Sequence, residues 1–287
     1  MNRRSAMKKT ALGLGALAMS RSLQATNEAD ALAGLGSTNH SACRWCYGDI
    51  PLEELADRGK DLGLKSIELL TPKEWSVVQS RGMTCAMGSP EGLSLTDGWN
   101  DPANHEKLRE MYIPFIKAAA EANIPSVICM SGNRRKLSDY EGMINCAVGL
   151  RPIIELAEEA GVVVQMELLN SKVDHYDYQC DHTAWGAALA EMINSPNFKL
   201  LYDIYHMQIM EGDVIATIKK YHNYIGHYHT GGVPGRNEIN ESQELYYPAI
   251  IKAIHETGFD GFVAQEFIPT YADKLKALEE GLRICTV

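Results

Sequence analysis

The most restrictive feature of this sequence is an eightfold alternation of short apolar stretches with longer amphipathic ones, repeating about every 30 residues. Such alternation requires parallel strands joined by helical crossovers. Eight strand–helix units close into a single (β/α)8 TIM barrel, an α/β fold that commonly takes about 250 residues. An open doubly wound sheet is the weaker alternative, because no Gly-x-Gly-x-x-Gly motif follows any of the apolar stretches.

The boundaries of these units follow from proline and glycine positions and from the change in periodicity. The predicted strands span 41–47, 65–70, 83–87, 126–130, 162–167, 198–203, 224–229 and 261–266. The predicted helices begin at 51 and then span 72–81, 102–122, 138–160, 181–193, 213–222, 247–257 and 271–282. No linker interrupts this series, so one catalytic domain is expected over residues 39–287.

The first 25 residues predict an export signal instead of a part of the fold. Paired arginines and lysines precede a short apolar stretch at 11–19, and Ser-Leu-Gln-Ala follows at 22–25, with small residues as at a cleavage site. The arginine pair is typical of the twin-arginine type, with an ordinary N-terminal helix as the alternative. Residues 26–38 are expected to form a flexible lead-in. The cleaved protein would be periplasmic, and the uncleaved one cytoplasmic.

The charge balance limits the partners that this chain can have. There are 37 acidic and 27 basic residues, and removal of residues 1–25 takes away five basic and no acidic side chains, so the net charge falls from −10 to −15. Nucleic-acid binding requires a basic face, and this balance argues against it. No apolar run approaches the roughly 20 residues of a membrane-spanning helix. A small-molecule substrate is expected.

The seven cysteines are expected to be buried thiols. Cys43 and Cys46 form a C-x-x-C dyad, but no second dyad completes a zinc site. If both residues lie on the predicted strand 41–47, their separation is about 10 Å and they face opposite ways. That distance exceeds the reach of a disulfide.

The predicted chemistry comes from polar residues that end four consecutive strands. Glu167, Asp203, His229 and Glu266 each close an apolar stretch, and they are 36, 26 and 37 residues apart, about one unit each. The carboxyl ends of barrel strands meet on the catalytic face. Three carboxylates brought together there would repel one another unless a cation neutralises them. Three oxygen ligands and one nitrogen suit Mn²⁺, Mg²⁺ or Co²⁺, and they also accommodate Zn²⁺.

Residues near these strand ends predict a polar pocket. Asn170 and His206 each follow a strand-end carboxylate by three residues, and His206 is placed in a loop. Arg236 lies in a glycine-rich loop from which it would reach an anionic or hydroxylated substrate, unless it pairs with a carboxylate of its own loop. His227 shares a strand face with His229, one layer deeper. The segment 174–177 forms either a lid over the site or a solvated turn.

At this point the sequence resembles the hydroxypyruvate isomerase family, one of the xylose-isomerase-like TIM barrels that also include the ketose 3-epimerases. The resemblance runs from about residue 43 to residue 269. It is carried by Met-Glu-Leu-Leu-Asn-Ser at 166–171, Tyr-Asp-Ile-Tyr-His-Met-Gln-Ile-Met-Glu-Gly-Asp at 202–213, Ile-Gly-His-Tyr-His at 225–229, Val-Pro-Gly-Arg at 233–236 and Ala-Gln-Glu-Phe at 264–267.

The resemblance implies a divalent metal ion held by Glu167, Asp203, His229 and Glu266. It further implies that Glu167 and Glu266 form the acid–base pair. It also implies that the two flanking residues His206 and Arg236 contact the substrate. Isomerases of this family usually carry Gln where His229 stands, whereas the ketose 3-epimerases carry His. The function predicted is isomerisation or epimerisation of a small sugar or hydroxy-keto acid through an enediolate.

Several other functions remain open at this stage. A metal-dependent dehydratase or lyase on the same barrel is the main alternative. A two-carboxylate glycosidase would not depend on metal. A multi-zinc nuclease would need more histidines and a basic groove, and a non-catalytic periplasmic sugar-binding module would bind without turnover. The sequence is compatible with a homo-oligomer and does not set the oligomeric state.

Overall fold

A computed structural model describes residues 38–287 of the protein. The predicted export signal and the predicted lead-in up to residue 37 lie outside the described residues. A search of the described part finds no helix with the length and apolar character needed to cross a membrane.

Seven parallel strands form one curled sheet with the order β2-β1-β7-β6-β5-β4-β3. The strands are β1 (Asn39–Cys43), β2 (Ser66–Glu68), β3 (Ser126–Cys129), β4 (Val163–Glu167), β5 (Phe198–Asp203), β6 (Ile225–Thr230) and β7 (Phe262–Gln265). Consecutive strands from β3 to β7 are neighbours, as the predicted crossovers require. The α/β, TIM-barrel-like fold expected from the sequence is therefore confirmed.

The helices connect the strands in chain order. They are α1 (Leu52–Asp61), α2 (Pro72–Gln79), α3 (His105–Glu121), α4 (Asp139–Ala160), α5 (Thr183–Ile193), α6 (Ile204–Met210), α7 (Val214–Tyr221), α8 (Tyr247–Glu256) and α9 (Lys274–Ile284). Local signals fix several of their ends. Ser138 and Glu141 form a capping box at the start of α4, and Gly161 ends it with a left-handed φ of 69°.

The predicted strand at 83–87 is not a regular strand, although it occupies the expected place. Isolated parallel bridges join Thr84 to β2, and they join Gly88 to Leu70, two residues after β2, and to Val127 of β3, so this segment closes the curled sheet. The backbone N–H and carbonyl of Ala86 form hydrogen bonds with side chains and not with the backbone of a neighbouring strand. Its N–H donates to Ser66 Oγ at 2.8 Å, and its carbonyl accepts from Ser126 Oγ at 2.7 Å. Serine hydroxyls thus replace strand pairing here.

Two further predictions of local structure were wrong. The stretch 41–47 is a strand only as far as Cys43, after which a 3₁₀ turn spans Arg44–Tyr47 and carries Cys46. Both cysteines are nevertheless buried free thiols, as are the other five. The loop predicted around His206 is the helix α6, which starts directly after β5.

Candidate active site

The structure brings the four strand-end residues together. One ligand atom from each of Glu167, Asp203, His229 and Glu266 lies within 4.8 Å of all the others, and all four residues are buried. Glu167 and Asp203 are the last residues of β4 and β5, His229 is the second-last of β6, and Glu266 directly follows β7. The parallel register of β4 to β7 therefore places them at one edge.

Glu266 is the most heavily bonded of the three carboxylates. Its Oε1 accepts a hydrogen bond from Trp45 Nε1 at 2.8 Å. Its Oε2 lies 2.6 Å from Arg236 Nη2 and 2.9 Å from His229 Nδ1. Burial by itself would raise the pKa of Glu266, but the charges of His229 and Arg236 hold it well below its ordinary value.

Glu167 lies in a different environment. Its Oε1 is buried without a hydrogen-bond partner and is 3.5 Å from His229 Nδ1. Burial raises the pKa of Glu167, and the charge of Glu266 raises it further, with His229 acting in the opposite direction. The two glutamates therefore differ in proton affinity although they face the same histidine nitrogen, as acid–base pairs commonly do.

These donors fit a single divalent ion. Ligands about 2.1 Å from one ion are at most about 4 Å apart, close to the spacing seen. When all three are ionised, the buried carboxylates, one with an unpartnered oxygen at Glu167, carry more negative charge than Arg236 and His229 offset, and a cation would balance it. Glu167, Asp203, His229 and Glu266 are the residues that would hold it.

His206 is aimed at this cluster by Asn170. The Asn170 Oδ1 accepts the backbone N–H groups of Val173 and Asp174 at 3.0 and 2.9 Å, which fixes the orientation of the amide. Its Nδ2 therefore faces His206 Nδ1 at 2.7 Å and donates to it. The proton of the neutral imidazole is then on Nε2, which is buried, unpartnered and 3.6 Å from Asp203 Oδ2.

His206 stays neutral in this environment. Burial, and next the charge of Arg236, lower its pKa well below the ordinary value. Its backbone N–H binds Asp203 Oδ1 at 3.1 Å, so Asp203 both ends β5 and caps α6. The structure therefore presents a neutral N–H donor beside the carboxylates.

Arg236 lies over the cluster and not along its own loop. Its Nη2 bonds Glu266 and is 3.4 Å from Asp203 Oδ2. Arg236 therefore pairs with carboxylates of the cluster and not with a carboxylate of its own loop. The guanidinium lies over the rings of Trp45 and Tyr205, with centroids at 5.1 and 5.4 Å. These aromatic faces help to keep the guanidinium in place.

The segment 174–177 contacts His206 near its start and reaches solvent further along. Asp174 accepts hydrogen bonds from Asn170 Nδ2 and Tyr205 Oη at 2.7 and 2.9 Å. The ring of His175 lies edge-on to His206, with centroids 5.2 Å apart. The next side chain, Tyr176, is 86% exposed. The start of the segment therefore packs beside His206, Tyr176 is in solvent, and a lid over the site stays a prediction.

Sequence reasoning placed His227 below the cluster but missed its partner, Glu68. His227 Nε2 and His229 Nε2 each lie 2.9 Å from Glu68 Oε1. Burial would raise the pKa of Glu68, yet the two histidines lower it to about 2. A charged residue inside the apolar run Ser-Ile-Glu-Leu-Leu at 66–70 was the available signal. Trp45 gave no comparable signal, because a tryptophan after a strand is ordinary.

Comparison with known proteins places the chain in a family. A family model described as "Xylose isomerase-like TIM barrel" matches residues 52–286. The chain belongs to this family. Hydroxypyruvate isomerase from Escherichia coli is 24% identical over 254 residues, which cover 83% of this chain and 93% of that protein. A 2-oxo-tetronate isomerase from Pectobacterium atrosepticum is 24% identical over 235 residues, covering 78% and 88%.

Among solved structures, D-psicose 3-epimerase from Clostridium cellulolyticum superposes with a TM-score of 0.68 at 17% identity. The match covers 87% of this chain and 100% of that chain, and it establishes likeness of fold. Membership of the xylose isomerase-like family confirms the resemblance predicted from the sequence. Together with the isomerase relatives, it identifies the chain as an isomerase-class enzyme.

Proposed function

We propose that the protein is a divalent-metal-dependent isomerase or epimerase of a small sugar or hydroxy-keto acid, similar in activity to hydroxypyruvate isomerase. The observation that carries this proposal is the convergence of Glu167, Asp203, His229 and Glu266 within 4.8 Å of one another. The isomerase relatives support the reaction class, and the named relatives act on hydroxypyruvate and 2-oxo-tetronate.

Two glutamates at one site suit proton transfer next to a carbonyl. A bound divalent cation would supply Lewis-acid stabilisation of negative charge that develops on substrate oxygens. One of Glu167 and Glu266 removes the proton from the carbon next to the carbonyl, and the other returns a proton to the enediolate. Trp45 holds Glu266 in place through its indole N–H, at 2.8 Å from Oε1.

The flanking donors orient the substrate. His206 Nε2–H is free to donate to the carbonyl oxygen, because Asn170 occupies the other ring nitrogen. Arg236 offers a fixed positive charge to a substrate carboxylate or hydroxyl group. The start of the segment 174–177 limits the entry of water above His206.

Deuterium exchange tests this proposal. Protein loaded with Mn²⁺ is incubated in D₂O with hydroxypyruvate, 2-oxo-tetronate and a panel of ketoses, and NMR of the recovered compounds shows which carbon takes up deuterium. Exchange next to the carbonyl, together with formation of the isomer, is the expected result. Loss of water from the substrate would identify a lyase instead, and tight binding without any exchange would identify a binding module.

Glutamine variants test the assigned roles. Glu167→Gln and Glu266→Gln should each lower the exchange rate by roughly 10²–10⁴-fold, the usual contribution of a general acid or base. Glu256→Gln is the matched control, because Glu256 lies on the surface and pairs with Lys219 at 2.8 Å. Near-normal exchange in either site variant contradicts the acid–base assignment.

A further inference from the structure

His229 is held between carboxylates on both of its ring nitrogens. Nδ1 faces Glu266 and Glu167 at 2.9 and 3.5 Å, and Nε2 faces Glu68 Oε1 at 2.9 Å. An ionised carboxylate only accepts hydrogen bonds, so Nε2 carries a proton and donates it to Glu68. By the same rule Nδ1 carries a proton that it donates to Glu266 while no ion is bound, and an ion in the four-residue cluster would take the place of that proton on Nδ1 while Nε2–H stays bonded to Glu68.

Glu68 is itself fixed by its neighbours. It ends β2, is completely buried, and accepts a second hydrogen bond from His227 Nε2 on the same oxygen, also at 2.9 Å. The ring of His227 lies edge-on to that of His229, at 5.2 Å and 82°. Two N–H donors converging on one oxygen leave the carboxylate little freedom to rotate, and they hold the imidazole plane of His229 at a defined angle.

We propose that Glu68 is a positioning residue for His229. By accepting the Nε2–H it fixes which nitrogen faces Glu167 and Glu266, and it thereby sets the affinity of the cluster for a divalent cation. Buried carboxylates that accept a hydrogen bond from a metal-binding histidine typically contribute 10- to 100-fold to metal affinity. This inference rests on the proposed metal site, although the orientation of His229 can be measured without any metal.

The first measurement is Mn²⁺ affinity by titration calorimetry. Glu68→Leu removes the acceptor at similar size and should weaken binding by about 10–100-fold. Glu68→Gln keeps an acceptor oxygen and should recover most of that loss. Glu211→Gln is the matched control, because Glu211 bonds Thr183 at the start of α5. Circular dichroism checks that each variant folds, and if Glu68→Leu does not fold, His227→Gln loosens Glu68 and should weaken binding by a smaller factor.

The second measurement is NMR of metal-free protein labelled with ¹⁵N in histidine. In the original protein, His229 should show a low-field Nε2–H signal, which a carboxylate acceptor causes, and Glu68→Leu should lose it. If Glu68→Leu binds Mn²⁺ as tightly as the unsubstituted protein and keeps the Nε2–H signal of His229 unchanged, the inference is overturned. A second outcome also overturns the inference. Cys43 Sγ is 4.0 Å from Glu68 Oε1, so the two residues could bind an ion of their own. If the protein binds two ions per chain and both Glu68→Leu and Cys43→Ser lose one of them, Glu68 is a metal ligand and not a positioning residue.

Failure of the proposed function gives a different pattern. If the original protein binds no divalent cation and exchanges no substrate proton, the metal site is wrong. The Nε2–H signal of His229 and its loss in Glu68→Leu still decide whether Glu68 orients the ring.

Discussion

Mild acid should destabilise the barrel through His40, a buried residue of β1 that is only 7% exposed. Thr286 Oγ1 donates to the Leu282 carbonyl at 2.8 Å, so it accepts from His40 Nε2–H at 3.0 Å. A second proton would have to sit on Nδ1, which is buried without a partner. Burial, followed by the positive charges of Lys65 and His255, lowers the pKa of His40 from 6.5 to about 4.

The magnitude follows from linkage. The unfolded chain protonates His40 near pH 6.5 and the folded chain only near pH 4, so the unfolded state binds more protons between these values and the free energy of unfolding falls as the pH drops through that window. The full shift corresponds to about 3 kcal/mol, and about 2 kcal/mol is lost between pH 7.5 and pH 5. For a domain of this size, this is about 4–8 °C in Tm.

The assay is urea unfolding of metal-free protein at pH 7.5 and pH 5, for the original chain and for His40→Gln. Glutamine can donate to Thr286 in the same way but does not titrate, so the pH-dependent loss should be about 2 kcal/mol smaller in the variant. Other titrating groups contribute equally to both proteins and cancel in the comparison. His222→Gln, on the 3₁₀ turn before β6, is the control. Equal losses in the original chain and His40→Gln would refute the reasoning.

Three further predictions concern the site and its frame. Removal of divalent ions by EDTA should abolish turnover and Mn²⁺ should restore it, and turnover that survives exhaustive chelation contradicts metal dependence. Trp45→Phe removes the hydrogen-bond donor to Glu266 and should lower kcat/KM roughly tenfold, because a hydrogen bond to a charged group contributes about 1.5 kcal/mol. Unchanged kinetics would contradict the role of Trp45 in holding Glu266. Gly98→Ala would place a Cβ 2.3 Å from the backbone N of Gly132 and should lower the free energy of unfolding by about 3 kcal/mol, measured by heat or urea. Gly48→Ala is the control, because the nearest contact of its Cβ is at 3.6 Å and its stability should hardly change. Equal stability of the two variants would contradict the packing argument.

The site shows which features a linear pattern can predict. Glu167, Asp203, His229 and Glu266 were found because each one interrupts an apolar run at a strand end, and parallel strands bring their ends to one edge whatever the details of packing. Glu68 was missed for the opposite reason. In the chain it lies inside the apolar run 66–70, with Leu69 and Leu70 after it, and its partners are 159 and 161 residues away, on a strand that is not its neighbour in the sheet.

The sequence by itself determined the alternation of strands and helices, the family, and the four residues that end consecutive strands, since these depend on periodicity and chain order alone. Only the tertiary structure decided the details that depend on distances across the sheet. Serine hydroxyls replaced the ladder at Ala86, Arg236 turned from its own loop to Glu266, and Glu68 came to accept from two histidines. The physical reason is that a side chain's partner is set by which groups remain unsatisfied once the sheet has closed, and no local pattern contains that information.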